Sequence, residues 1–160
     1  MMKLGLVLLC LLYSLPAMPA AKKVLVHFDW PGAQSAGLEL SLFQAKTGSR
    51  VDVGSMGKLT FDVSTRIGAK VEEPLTITPG MGQSLYLVVE NKTDAPIRFG
   101  VAPHGSTPAE ATIDINFRCL CYGHTYTVEA RSKWYRVIAL RVDRQTQIKN
   151  LRLKHEVYRR

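Results

Sequence analysis

The feature that most constrains the fold is an alternation of apolar and polar residues with a period of two, which recurs between turn residues. This alternation is typical of strands with one buried face, whereas an amphipathic helix would repeat about every 3.6 residues. Helical periodicity is hard to find beyond the N-terminal apolar run. The predicted strands are Val24–Phe28, Leu38–Phe43, Lys58–Val63, Ser84–Asn91, Ile97–Ala102, Thr112–Cys121, Thr125–Ala130, Tyr135–Val142 and Ile148–Leu153.

Turn sequences separate these strands, among them Trp30-Pro31-Gly32, Thr78-Pro79-Gly80 and the run from Asn91 to Asp94. Strands without intervening helices favour an antiparallel sandwich or barrel over a parallel sheet. We therefore predict an all-β protein with an immunoglobulin-like antiparallel β-sandwich. Asn91-Lys92-Thr93 also fits a glycosylation sequon, and we interpret it as turn chemistry.

The N-terminus predicts export. Lys3 precedes a charge-free apolar run, and small residues follow it as far as Ala20. The run is about 12 residues long, short of the roughly 20 that a bilayer requires. We predict a signal peptide over residues 1–20 and a periplasmic location, with an uncleaved membrane anchor as the alternative.

The rest of the chain divides into three parts by its patterning. Residues 21–57 are richer in glycine and are predicted to be additional N-terminal edge strands, residues 58–143 form the sandwich core, and residues 144–160 form a basic C-terminal strand or tail. The net charge is +8. A basic terminus is either a solvated surface or a contact site for an anionic membrane surface or an acidic partner. Export argues against nucleic acid as a partner.

Cys119 and Cys121 are the two cysteines beyond the predicted signal peptide. Secreted domains that depend on disulfides carry more cysteines at wider spacing. Residues i and i+2 of a strand have Cα atoms about 6.6 Å apart, which is near the upper limit for a disulfide. Two thiolates suit a soft ion, and a closed zinc site or iron–sulfur cluster usually requires four ligands. The pair therefore favours copper(I), which is satisfied by two or three ligands.

Three further side chains are candidate copper ligands. His124 follows Cys121 by three residues and is the predicted third ligand or a nearby hydrogen-bonding group. His104 and Met81 would join the site if the fold brought their turns to the same end of the sandwich. His27 and His155 are predicted to lie on strand or tail surface, without a functional role.

Two other functions remain open for the cysteine pair. In a thiol–disulfide oxidoreductase for a partner's metal-site cysteines, Arg118 would be the adjacent cation that favours a thiolate. The Cys-x-x-Cys motif at a helix start, usual in such enzymes, is absent from the sequence. In a structural or interaction sandwich, both thiols would be buried as small apolar groups, since Ile113, Ile115 and Phe117 share their strand parity. No hydrolytic motif is visible, so we predict a protein that is not an enzyme.

A longer pattern resembles a known family. It consists of the segments Lys58–Val63, Thr78–Gly80, Val89–Ile97, Val101–Pro103, Phe117–Tyr122 and Leu140–Asp143. In order and spacing these segments resemble the periplasmic domain of the CtaG-type cytochrome c oxidase assembly factors. The resemblance implies an immunoglobulin-like sandwich that binds copper(I) through Cys119 and Cys121, with Tyr122 as the aromatic residue that follows them. It also implies delivery of copper to the copper B site of oxidase subunit I.

The sequence departs from that family at several points. Leu120 stands where the family has phenylalanine, and Gly123-His124-Thr125 replaces a polar segment. The long anchor of the family, with its further cysteine, has no counterpart in the predicted exported part. A diverged relative that serves another copper enzyme, or a homodimer that shares one copper ion, is the alternative arrangement.

Overall fold

The computed structural model describes residues 22–46, 66–118 and 123–160. These residues form twelve strands and one 3-10 helix, Ala109–Ile113. The strands are β1 Val24–Asp29, β2 Leu38–Ala45, β3 Ile67–Lys70, β4 Leu75–Ile77, β5 Gly82–Asn91, β6 Ile97–Val101, β7 Gly105–Thr107, β8 Ile115–Arg118, β9 Tyr126–Val128, β10 Lys133–Val142, β11 Asn150–Lys154 and β12 Val157–Arg159.

The strands form three sheets packed in a sandwich. Their orders are β4-β1-β11-β7, β3-β2-β5-β10-β8 and β12-β6-β9. Neighbouring strands are antiparallel apart from β1 and β11, which pair in parallel from Leu25 opposite Asn150 to Asp29 opposite Lys154. The predicted all-β, immunoglobulin-like antiparallel sandwich is confirmed.

One continuous core joins the three sheets. Each sheet contributes side chains with almost no exposure, such as Val26 of β1, Leu87 of β5 and Phe99 of β6. Burial of a large apolar side chain contributes about 1.5–3 kcal/mol. The inward residues alternate along β1 and β11 as the sequence pattern predicts. Burial of the alternating apolar face therefore favours strands over helices in this chain.

The predicted strands largely match the observed ones, with informative differences. Lys58–Val63 lies outside the described residues. The strand predicted at Thr112 begins at Ile115 instead, because the 3-10 helix occupies the preceding residues and leaves Ile113 87% exposed. Strands β3, β4, β7 and β12 were not predicted, since runs of three or four residues are too short to show an alternation.

The terminal segments lie deeper in the sheets than the sequence indicated. Residues 21–57 were predicted as edge strands, but β1 lies between β4 and β11, and β2 lies between β3 and β5. Strand β11, from the predicted C-terminal strand or tail, is also an interior strand with Leu151 and Leu153 buried. The division of the chain at residues 57 and 143 stays a prediction.

The turn after β5 is built around the buried Asn91. Its Nδ2 lies within hydrogen-bonding distance of three carbonyl oxygens, those of Ala95 at 2.8 Å, Val128 at 3.1 Å and Glu129 at 3.0 Å. Its Oδ1 accepts from the backbone N–H of Thr93 at 2.9 Å and from the Thr93 hydroxyl at 2.7 Å. Because this amide is fully buried, the turn chemistry accounts for the residues of the sequon.

We expect Thr93→Val to lower the free energy of unfolding by about 1 kcal/mol, because the single hydroxyl hydrogen that faces both Asn91 Oδ1 and the Ala95 carbonyl oxygen is lost. Thr93→Ser keeps the hydroxyl and should retain most of the stability. Urea denaturation of the two variants measures the difference. Equal midpoints would show that the hydroxyl contributes nothing to the turn.

Candidate metal site

The predicted copper ligands Cys119 and Cys121 lie outside the described residues, and their flanks are described. Strand β8 ends at Arg118, and the description resumes at Gly123, whose positive φ of 67° is a turn conformation that favours glycine. Within the described sheets, β8 is an edge strand of the five-stranded sheet and β9 is an edge strand of the three-stranded sheet. The Cys-x-Cys segment therefore connects two edge strands of different sheets.

Strand β8 has the predicted parity. Ile115 and Phe117 are half-buried and pack against the core, whereas Asn116 and Arg118 are exposed. Pairing with β10 fixes this orientation, with Phe117 opposite Leu140 and Arg118 opposite Ala139. The orientation of the two cysteines themselves stays a prediction.

Phe117 and four other rings, those of Phe28, Trp30, His104 and His155, converge here, and we call the five the histidine–aromatic cluster. The ring centroids of Phe117 and His104 are 5.4 Å apart, and those of Phe117 and His155 are 5.2 Å apart. Trp30 stacks on His155 at 4.7 Å, and Phe28 lies 6.0 Å from Phe117. The members come from the end of β1, the loop before β7, β8, and the link between β11 and β12. The cluster therefore joins strands of two sheets with two connecting segments that lead from and to the third.

His155 is the most buried member of the cluster, with no exposed surface. Its backbone N–H donates to the carbonyl oxygen of Asp29 at 2.8 Å, and the N–H of Val157 donates to that of Pro31 at 2.8 Å. These bonds hold residues 155–157 against the end of β1. The prediction that His155 lies on strand or tail surface was therefore wrong.

Burial sets the protonation of both histidines in the cluster. Loss of water contact lowers the pKa of His155 to about 4, and the neighbouring His104 opposes a second charge there. A backbone interaction with Leu153 acts weakly in the other direction. Burial also lowers the pKa of His104. At neutral pH both imidazoles are therefore uncharged.

His124 lies in a different ring group. It is exposed, and its ring centroid is 6.3 Å from that of Tyr126. Tyr126 packs on Phe99 at 5.4 Å and on Trp134 at 5.0 Å. Within the described parts of the chain, no ring contact joins this group to the histidine–aromatic cluster. The structure thus brings His104 beside the strand that precedes the cysteines, and His124 lies on the chain that follows them.

Met81 is 65% exposed in the turn before β5. Gly82, the next residue, pairs with Arg141, whereas Arg118 pairs with Ala139 on the other side of β10. Met81 therefore lies toward the Ile115 end of β8, and the cysteines follow the Arg118 end. A role for Met81 as a copper ligand stays a prediction.

An open groove of about 690 Å³ lies near the Ile115 end of β8. Asp114 and Asp143 line it, but their carboxylates are engaged in local turns. Asp114 Oδ2 accepts from the Thr146 hydroxyl at 2.6 Å, and Asp143 Oδ1 accepts from the N–H of Gln145 at 2.7 Å. These carboxylates stabilise the loop after β10 and carry no sign of a ligand.

Two absences hold for the ranges 22–46, 66–118 and 123–160. No set of three or more His, Cys, Asp or Glu side chains there is arranged to hold a metal ion. No helix in those ranges is long and apolar enough to cross a bilayer.

The fold and these flanks define the protein as an all-β, immunoglobulin-like sandwich in which a Cys-x-Cys segment connects β8 and β9, each an edge strand of the sheets that the structure describes. The chain belongs to the DUF8709 family, described as a domain of unknown function, which matches residues 24–159. No curated protein matches the chain.

Proposed function

We propose that this protein is an exported copper(I) metallochaperone in which the thiolates of Cys119 and Cys121 hold the ion. The observation that carries the proposal is the Cys-x-Cys pair directly after β8, an edge strand whose inward Phe117 lies against two uncharged histidines. Thiolates suit copper(I). His124 is the proposed third ligand, on the chain that leads into β9.

Low coordination is what allows a carrier to release its cargo. A copper(I) ion held by two or three ligands has room for an incoming ligand from the recipient, so it moves by stepwise ligand exchange. Both strands that flank the motif are edge strands of the described sheets, which favours access by a partner protein. The resemblance to CtaG-type assembly factors supports subunit I of cytochrome c oxidase as recipient, with another periplasmic copper enzyme as the alternative.

Arg118 and Arg160 bring positive charge to the described residues that flank the motif, and this charge favours both the thiolate form and an acidic partner. Arg118 precedes Cys119 and is exposed. The C-terminal Arg160 reaches the same region, because its Nη1 donates to the Thr125 hydroxyl at 3.2 Å and its N–H donates to the carbonyl of Arg98 at 2.9 Å. An adjacent cation stabilises a thiolate. The basic C-terminus is thus proposed to contact an acidic partner or an anionic membrane surface near the cysteines.

Anaerobic copper(I) titration against a competing chelator tests the proposal. We expect the purified protein to bind one copper(I) with sulfur ligands visible by X-ray absorption. Cys119→Ser/Cys121→Ser should weaken binding by on the order of 100-fold or more, since even the loss of an outer-shell partner costs about 10- to 100-fold in affinity. Circular dichroism and thermal unfolding check that the variant remains folded, and His124→Ala tests the third ligand.

The other outcomes separate the alternatives. Equal, weak copper binding by both proteins would overturn the carrier function. An unfolded double variant with no copper affinity in the parent protein would favour buried structural thiols. Disulfide reductase activity that depends on both cysteines in the absence of metal would favour the oxidoreductase. Mass measurement with one copper per two chains would favour a homodimer that shares the ion.

A further inference from the structure

The ring of His155 carries two polar atoms that the described residues leave without a partner. Both Nδ1 and Nε2 are buried, and neither makes a hydrogen bond of normal geometry within that part of the chain. A buried polar group left unpaired costs about 1–3 kcal/mol, and such groups in native proteins point to a water, an ion or a functional role. The backbone of Leu153 lies near enough to act on the pKa of the ring, but neither ring nitrogen forms a hydrogen bond of normal geometry with it, so the nitrogens are open to a ligand.

His104 supplies the second half of a binding site. The centroids of the His104 and His155 rings are 5.6 Å apart, with 36° between the ring planes. A metal–nitrogen bond is about 2.0 Å, and an imidazole nitrogen lies about 1.1 Å from the ring centre, so two rings bridged in line by one ion are about 6 Å apart. The observed separation of the two rings is close to that spacing.

The surroundings select the kind of ion. Trp30 stacks on His155, and Phe117 lies edge-on to both histidines, so the walls are aromatic and no carboxylate belongs to the cluster. A divalent ion without anionic ligands would carry a large desolvation cost in such a place. Zinc also takes four ligands in closed sites. Copper(I) carries a single charge and is satisfied by two imidazole ligands, so it suits a site that has neither carboxylates nor four ligands.

We propose that His104 and His155 bind one copper(I) ion between their ring nitrogens, forming an imidazole site distinct from the cysteine pair. A neutral imidazole carries one N–H and one lone pair, and a metal ion binds through the lone pair. His104 is the half-exposed member and forms the entry, whereas His155 forms the buried end. The site rests on described residues alone and stands whether or not the cysteines carry copper.

The test uses the Cys119→Ser/Cys121→Ser protein, so that thiolates do not compete. We expect one equivalent of copper(I), or of silver(I) as a redox-stable probe, to shift the ring nitrogen signals of His104 and His155 in the NMR spectrum. The signals of His27 and His124 should not move. Silver(I) should also raise the midpoint of thermal unfolding.

Matched variants make the result specific. His155→Phe keeps a ring against Trp30 but removes the nitrogens, and should weaken binding by on the order of 10- to 100-fold. His104→Phe should do the same and serves if His155→Phe does not fold. His27→Phe, on the outward side of β1, is the control and should bind normally.

The outcomes distinguish this site from the proposed thiolate carrier. Unmoved histidine signals, or equal binding by His104→Phe, would overturn the imidazole site and leave the thiolate carrier untouched. Nitrogen-coordinated copper in the Cys119→Ser/Cys121→Ser protein, with no sulfur ligands in the parent protein, would support the imidazole site and overturn the carrier.

Discussion

Lowering the pH through the range from 6.5 to 4 is expected to remove about 3 kcal/mol of folding stability through His155 alone. The ordinary pKa of histidine is 6.5, and burial lowers that of His155 to about 4. Between these pH values His155 binds a proton in the unfolded chain but not in the folded protein. The contribution is therefore fully present above pH 6.5, falls as the pH drops, and changes no further below about pH 4.

The groups that face the His155 ring are the reason for this large effect. Trp30 and Phe117 exclude water from it, and the titratable neighbour within the cluster, His104, repels a proton rather than attracting one. The carboxylate of Asp29, on the strand that holds this link, is already paired with Arg152 at 2.9 Å. Among the described groups the backbone of Leu153 favours a charge on the ring, and the effect of burial outweighs it.

Urea denaturation at a series of pH values measures the effect. His155→Phe should flatten the stability profile between pH 6.5 and 4, and His27→Phe should leave it unchanged. Glu39 acts with the same sign at lower pH, because its bond to Lys92 lowers its pKa, so Glu39→Gln separates that contribution. A profile that His155→Phe does not alter would mean that the ring binds a proton as readily in the folded protein as in the unfolded chain.

Gly32→Ala is expected to lower the free energy of unfolding by about 4 kcal/mol, combining a left-handed backbone with steric overlap. Gly32 has φ +82°, and a Cβ there would lie 2.1 Å from the carbonyl oxygen of Val157. That oxygen belongs to the backbone and cannot rotate away. The substitution would push β12 from the turn after β1, where the N–H of Val157 donates to the carbonyl of Pro31.

Gly82→Ala is the matched control for this prediction. Nothing lies within 4 Å of the added Cβ at Gly82, so its stability should stay within about 0.5 kcal/mol of the parent protein. Chemical denaturation compares the two variants. A loss below about 1 kcal/mol for Gly32→Ala would show that the turn relaxes at little cost. Because the same turn holds residues 155–157, the variant should also weaken the copper(I) binding proposed for His104 and His155.

The predicted and observed folds agree where a strand is long enough to alternate. Strands β5 and β10 each contain ten residues, and the sequence predicted both of them. Very short strands such as β4 and β7 escaped prediction, because their hydrogen bonds come from neighbours distant in sequence. The 3-10 helix replaced the predicted start of β8, where Pro108 and the turn bonds of Ala111 and Asp114 determine the local path.

The histidine–aromatic cluster contained a signal that the sequence analysis missed. Along the C-terminus, Leu151, Leu153, His155 and Val157 share one parity, and all four are buried. The period-two alternation therefore indicates an inward side chain at His155. The nearby basic residues Arg152 and Lys154 had instead favoured a surface tail. His104 had no comparable signal, because it lies in a loop.

The sequence by itself determined the class of fold, the faces of the long strands and the position of the cysteines after an inward Phe117, because these follow from local alternation and turn residues. Only the tertiary structure decided that β1 pairs in parallel with β11 and that Trp30, His104, Phe117 and His155 meet. The physical reason is that strand neighbours and register depend on how inward faces pack across the whole core, an energy shared among residues far apart in the chain.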